Sequence, residues 1–288
     1  MTLRSPRLRS LALIGFVLAG LVRALVRAAS RASDVPLSPV TAGWRVGADY
    51  LERRGLLDEG EVGGEMDDLS AFTRPGFDPE AVAPAVRDFY ERTADHELAY
   101  EVGWHRPFRS GAALAARLTS RLEQLNLPGP GESGVERLES RFEPVAADPD
   151  PRADARAWVR TREEGTAVFV AIYAHHDREE IRYVNIAVPL PRGNLSTVLR
   201  PENLADGGLE LTTLDGEAEG DEGLYLATPV GSVALPLDQR FRVWPADSSD
   251  PSAPTDLSRG RATVVATHEM WLFGRQFLII RYAGWPRR

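Results

Sequence analysis

The chain has 288 residues, 43% of them hydrophobic and 26% charged, which is enough for one large domain or two modest ones with a sizeable core. A net charge of −8 argues against a general nucleic-acid binder, which needs a basic surface to displace counterions. Cysteine is absent, so disulfides, thiolate metal centres and cysteine nucleophiles are excluded. Every basic residue is arginine, a composition bias of the kind a high-GC genome produces.

Residues 1–33 read as an N-terminal amphipathic arm. Leu11, Ile14, Leu18, Leu21, Val22 and Leu25 recur at three- and four-residue spacing on one face. Arg9, Arg23 and Arg27 project from the other. The apolar run is too short for a spanning helix, and arginines stand where a signal-peptide cleavage region belongs. Three readings stay open: a helix lying on a membrane surface through residues 9–27, a helix packed on its own protein, and a cleaved signal. The first two place the protein in the cytoplasm, with or without a membrane; the third exports it.

Residues 34–130 read as a helical region. Val40, Trp44 and Leu51 fall at helical spacing, with Gly47 as a weak point and Gly55 as a stop. Asp78 and Pro79 open a helix over 78–98, with Val82, Val86, Phe89 and Tyr90 on one face. Another helix fits 110–127, with Leu114, Leu118, Leu122 and Leu125 on its apolar side and Pro128 ending it.

From residue 131 to 288 the pattern is that of an antiparallel β domain. Strands are predicted at 136–144, 156–162, 166–174, 180–188, 208–213, 223–228, 232–236, 240–244, 261–272 and 276–283, between turns rich in Gly, Pro and acidic residues. No helix interrupts them, so a parallel βαβ sheet is not expected. The fold class is α+β: N-terminal helices covering a mostly antiparallel sandwich or barrel of nine to ten strands.

The conspicuous cluster "AHHDREE" carries His175, His176 and Asp177. Alternation sends the two histidines to opposite faces, so the segment reads as the solvated tip of a hairpin and not as a metal site. His268 is the better candidate, because it interrupts an apolar face made by Val264, Ala266, Met270 and Leu272. With Tyr173, Trp271 and Phe277 it forms the candidate ligand-binding set, although Trp271 belongs to the other strand face. H-E-x-x-H, G-x-S-x-G, P-loop, dinucleotide-binding, EF-hand and kinase motifs are all missing, and no cofactor or metal is expected.

Function is not written in any motif. The leading expectation is a non-catalytic binding protein for a small apolar or lipid-like ligand, held near a membrane by its first helix. An enzyme lacking a recognised motif is the alternative, and it requires His96, His105 or His268 to meet carboxylates in one cleft. A scaffold protein without a pocket is the other.

Overall fold

Alternation of apolar side chains along short strands builds a closed barrel. The structure is a computed structural model describing residues 6–132, 134–214 and 220–287, with side chains from residue 19 onward. Its strands are β1 (His96–Trp104), β2 (Glu136–Pro144), β3 (Ala153–Thr161), β4 (Ala167–Arg178), β5 (Ile181–Leu190) and β6 (Gly193–Asn203). Then follow β7 (Leu209–Thr212), β8 (Gly223–Thr228), β9 (Gly231–Ala234), β10 (Leu237–Pro245), β11 (Val264–Leu272) and β12 (Arg275–Pro286). Ten of them close in the order β1-β2-β3-β4-β5-β6-β7-β10-β11-β12, and β12 pairs back onto β1. All pairings within the barrel are antiparallel; β8 and β9 form an extra hairpin on β6.

β6 performs the closure. One edge pairs along its length with β5, from Val184↔Leu199 to Leu190↔Gly193. The other edge divides: Asn194–Val198 takes β8, and Arg200–Asn203 takes β7. A cross-strand methyl would not fit at Gly193, where a Cβ would come within 2.7 Å of the Ala227 carbonyl oxygen. On the opposite side, β1 and β2 share only Leu98↔Leu138, Ala99↔Arg137 and Tyr100↔Glu136.

β4 is buried on both faces, as its nearly continuous apolar run requires. Ala171 and Tyr173 belong to the barrel interior. Val170 and Ile172 pack outward against Val40, Val46, Tyr50, Leu51 and Leu56 of the N-terminal segment. That segment is a strap, not the predicted helix. Gly47 takes φ +76°, which breaks helical geometry, and only α2 (Tyr50–Arg54) is helical before Gly55 caps it at φ +63°. Val40, Ala42 and Val46 are buried against the barrel while Trp44 is exposed, so the helical face expected for Val40, Trp44 and Leu51 does not form.

Several other expectations change. The helix expected over 78–98 is a single 3-10 turn at Pro79–Ala81, capped by Asp78, then α3 (Pro84–Glu91). Pro84 disfavours helical geometry at Ala83, so the two cannot merge. The chain then becomes β1, with Leu98, Tyr100, Val102 and Trp104 alternating inward among the core residues. β6 also appears where no strand was expected, because Gly193, Asn194 and Pro201 mask the alternation of Leu195, Thr197 and Leu199. The "AHHDREE" tip is smaller than expected. β4 runs through both histidines to Arg178, and only Glu179-Glu180 forms the turn, with Glu179 at φ +54°. His176 is held there: Nε2 lies 3.1 Å from Asp221, and Nδ1 accepts from Asn185 at 3.1 Å. His175 does face the other way, near Asp154 and the ring of Phe72.

A buried polar knot ties the strap to the barrel. Arg152 donates to both Asp150 oxygens at 2.9 and 2.8 Å and to Asn185 at 2.8 and 2.9 Å. Ser38 of the strap donates to Asp150 at 2.7 Å. Asp150 is fully buried and Arg152 nearly so. Arg152→Ala strands a buried carboxylate, and we expect it to cost about 3–5 kcal/mol in urea unfolding. Ser38→Ala, which leaves the ion pair intact, is expected to cost no more than about 1.5 kcal/mol.

Candidate functional site

Inward-facing positions of every barrel strand but β7 line a cavity of about 420 Å³. β5 contributes Ile186 and Val188, β6 Leu195 and Thr197, β10 Leu237, Gln239 and Phe241, β11 His268 and Met270, and β12 Leu278, Ile280 and Tyr282. Across the mouth lies α4 (Arg109–Leu122), which presents Ala112, Ala115 and Thr119 to the space. This reverses the face expected for the helix. Leu114 and Leu118 point to solvent at 71% and 61% exposure, because a helix lying over an open barrel has small residues inward and no partner outside. Leu125 and Leu127, just past the helix, line the wall.

Of the four candidate ligand residues, three meet at this cavity. Tyr173, His268 and Phe277 all line it. Phe277 arrives through a bulge: Met270 pairs with Leu278 and Trp271 with Gln276, so Phe277 is left over. Its ring turns to the mouth and meets Phe108, with centroids 5.8 Å apart. Trp271 is not part of the lining. It stands on the outer face, its ring 5.3 Å from the guanidinium carbon of Arg240.

His268 is held in one state. Its Nε2 lies 3.0 Å from Gln239 Oε1, and Gln239 Nε2 donates to Thr197 Oγ1 at 3.3 Å. Nε2 must therefore carry the proton, an assignment that follows from the hydrogen-bond partner. The ring stacks on Phe241 with centroids 3.8 Å apart. Burial pushes its pKa down to about 3, with the nearby Arg160 charge adding to the effect. A base that weak holds no proton near neutral pH, which makes it a poor general base and a good neutral hydrogen-bonding group.

The three histidines of the enzymatic alternative do not converge. His96 and His105 flank β1, at opposite ends of a strand spanning roughly 30 Å. His96 is buried at the far end against Phe89, with Nδ1 donating to the Arg92 carbonyl oxygen at 3.0 Å. His105 is exposed beside the mouth, and His268 is inside. Among the described residues no group of three or more His, Cys, Asp or Glu side chains is placed to hold a metal ion.

Arg160 was not anticipated. It projects inward from β3, two residues after Trp158, at the floor of the cavity. Its guanidinium carbon lies 3.9 Å from the Trp158 ring centroid and 4.5 Å from that of Phe169. Below it is a smaller chamber of about 50 Å³ lined by Glu65, Tyr90, Leu211 and Val243; Arg160, Tyr173, Phe241 and Tyr282 border both spaces. Burial pushes the Glu65 carboxyl up to about 7, against the pull of Arg160. Tyr173 and Tyr282 are both raised by burial, so each stays a neutral hydroxyl donor. The sequence signal was faint: in "ARAWVRT" both faces carry apolar residues, and nothing in the alternation shows which side of β3 is the interior.

The fold and site together define an antiparallel β-barrel with a helix-capped internal cavity. The chain is 28% identical over 239 residues, or 83% of its length, to a protein of Bacillus subtilis (strain 168) called uncharacterized membrane protein YndJ. It spans 41% of that relative's length. No family model matches the chain, and no solved structure matches it.

The neutral state of His268 has a measurable consequence. The unfolded ring takes up a proton below about 6.5, the folded one only near 3. Stability from this site is therefore complete above pH 6.5 and is lost as the pH falls toward 3, at up to about 1.4 kcal/mol per pH unit. His268→Gln should flatten the decline in urea-unfolding free energy between pH 6.5 and 4. An unchanged slope would show that the ring protonates freely in the folded state.

Proposed function

We propose that the protein is a non-catalytic binding protein whose barrel encloses a small apolar, lipid-like ligand. The carrying observation is the cavity itself. Its volume of about 420 Å³ falls within the roughly 300–1,000 Å³ of small-molecule sites. The walls are apolar and aromatic, and a few polar groups converge at fixed positions: Arg160, Tyr173, and the Thr197–Gln239–His268 chain. The weakly basic His268 and the dispersal of the other histidines favour binding over catalysis.

α4 closes this space lightly. Ala112 is its one buried residue, so little apolar surface is lost when it moves. A neutral naphthylamine probe should fluoresce on entering the cavity. Ala115→Trp, which places an indole where a methyl faces the space, should reduce probe binding at least about ten-fold while the far-ultraviolet spectrum stays unchanged. Absence of probe binding, together with no lipid in solvent extracts of the purified protein, would sink the reading.

The second part of the proposal concerns α1 (Pro6–Ala32). Leu21, Val22, Leu25 and Val26 are exposed at 57%, 59%, 63% and 62% and share one side of the helix, while Arg23 and Arg27 face away. Among its described side chains Ala32, at its end, is the one buried, beside Val35, Tyr183, Val198 and Tyr225. Among the described residues no helix is long and apolar enough to cross a membrane. An apolar stripe beside arginines suits a surface of anionic lipid. The relative's description as a membrane protein points the same way. The full chain should sediment with anionic vesicles and less with zwitterionic ones, and replacing Leu21, Val22, Leu25 and Val26 by serine should abolish sedimentation. Equal recovery of both proteins in the supernatant would remove the membrane from the proposal.

A further inference from the structure

The cavity floor carries a positive charge that the protein leaves short of partners. Arg160 is 9% exposed. Its neutral partners are two phenols, Tyr173 Oη at a long 3.4 Å from Nη2 and the nearby Tyr282 hydroxyl, and its buried Nε has no acceptor among the described residues. No carboxylate lies within ion-pair distance of it among the described residues; the ion pairs of β3 belong to Arg156, with Asp67, on the same strand. Trp158 and Phe169 meet the guanidinium with their rings, and such contacts soften the charge without accepting its in-plane N–H bonds. A buried guanidinium normally has a fork of acceptors, since its five donors each cost free energy when left dry.

We propose that Arg160 is the head-group site of this cavity and that the ligand is a single-chain amphiphile with a carboxylate head, such as a long-chain fatty acid. This rests on the binding role proposed above and adds the chemistry of the ligand. The polarity of the space fits one orientation. Arg160, Tyr173 and Tyr282 border both spaces and so gather at the floor, where both tyrosines keep a neutral hydroxyl. From there to the mouth the lining is mainly apolar, with Val188, Leu195, Met270, Ile280 and the small residues of α4, and the uncharged Thr197–Gln239–His268 chain is its polar part. A carboxylate accepts two parallel N–H bonds from a guanidinium, a geometry that an alcohol or amine cannot reproduce. Glu65, the carboxyl facing Arg160 from the chamber beneath, does not supply the missing partner: it is beyond ion-pair reach, and its burial keeps a large fraction of it protonated near neutral pH.

The test uses the full chain and displacement of the neutral naphthylamine probe. Laurate, dodecanol, dodecylamine and a lauroyl lysophosphatidate share one chain length and differ in the head. Laurate should displace the probe at least about ten-fold more tightly than dodecanol, as expected for a charge-assisted pair against a neutral one. Dodecylamine should be the weakest. Arg160→Met, which removes a poorly satisfied buried charge, should bind laurate no more tightly than dodecanol; Arg160→Lys should retain part of the preference. Equal affinities of laurate and dodecanol in the unaltered protein overturn the proposal, as does a preference that survives in Arg160→Met. Tighter displacement by the lysophosphatidate than by laurate replaces the carboxylate with a phosphate and overturns the assigned class. If the neutral probe and every member of the series fail to bind, the cavity is not a binding site, and the fault lies with the underlying function and not with the head-group assignment.

Discussion

The number of strands in the closed barrel governs the rest of the molecule. Barrel diameter grows with strand count, and about eight strands is the width that side chains alone can fill. This barrel has ten. Its lower half is filled by large side chains, among them Trp158, Tyr90, Phe89 and Leu211. The upper half is not, even with Phe241, Phe277 and Tyr282 pointing inward. The cavity is thus a consequence of closure geometry, and α4 is the element that keeps it from being an open cup. Closure in turn depends on β6, whose two edges join three strands, and on the short β1–β2 ladder opposite.

Charge placement follows a consistent logic outside the cavity and departs from it inside. On the outer surface, Glu269 receives Arg240 and Arg242 at 2.9 and 2.8 Å, and Arg182 grips Asp177 at 2.7 Å. Beneath the strap, between β2 and β3, buried Arg152 is fully engaged by Asp150 and Asn185. Arg160 has no such arrangement. The same chain shows what a satisfied buried arginine looks like, and the contrast within one molecule makes the floor of the cavity unusual. Aromatic rings allow such a cation to remain buried, at a cost in stability that a purely structural residue would have no reason to impose.

Sequence reading captured the elements whose local pattern and final environment agree. β2 and β8 have the boundaries that alternation and turn signals indicate, and β4 and β5 are recognisable as a hairpin of buried strands. His268 was visible as a polar interruption of an apolar face. What escaped is set by tertiary context. β1 follows directly from a helical stretch, and its glutamates at 97 and 101 look like helix surface until the barrel shows them facing outward. β6 carries a proline and a glycine that belong to a strand only because its edges are shared between neighbours. The leucines of α4 have helical periodicity, yet the side they mark is the exposed one. Periodicity reports which residues share a face; it does not report which face meets the core. The same ambiguity hid Arg160, because β3 has apolar residues on both sides: Val159 and Ala157 under the strap, Trp158 inside.

Two helices carry leucine and valine into solvent, and each has a different relation to the barrel. α1 is joined at its end, where Arg31 donates to the Glu222 carbonyl at 2.9 Å and Ser232 donates to the Ala32 carbonyl at 3.2 Å. α4 lies on the mouth and is tied at its far end, where Leu122 accepts from Val46 at 2.8 Å and Glu123 pairs with Arg45 at 2.6 Å. Exposed apolar residues on a lightly seated element are costly in water and gain when an apolar phase is available. The two features therefore have one physical requirement in common. A lipid surface that receives α1 also brings an apolar phase to the protein, and α4 with Leu114 and Leu118 outward is the element whose displacement into such a phase loses least. If the proposed membrane contact and ligand both hold, the mouth of the cavity is the path by which a chain would leave the bilayer and meet a barrel whose walls continue the same apolar environment, ending on a cation.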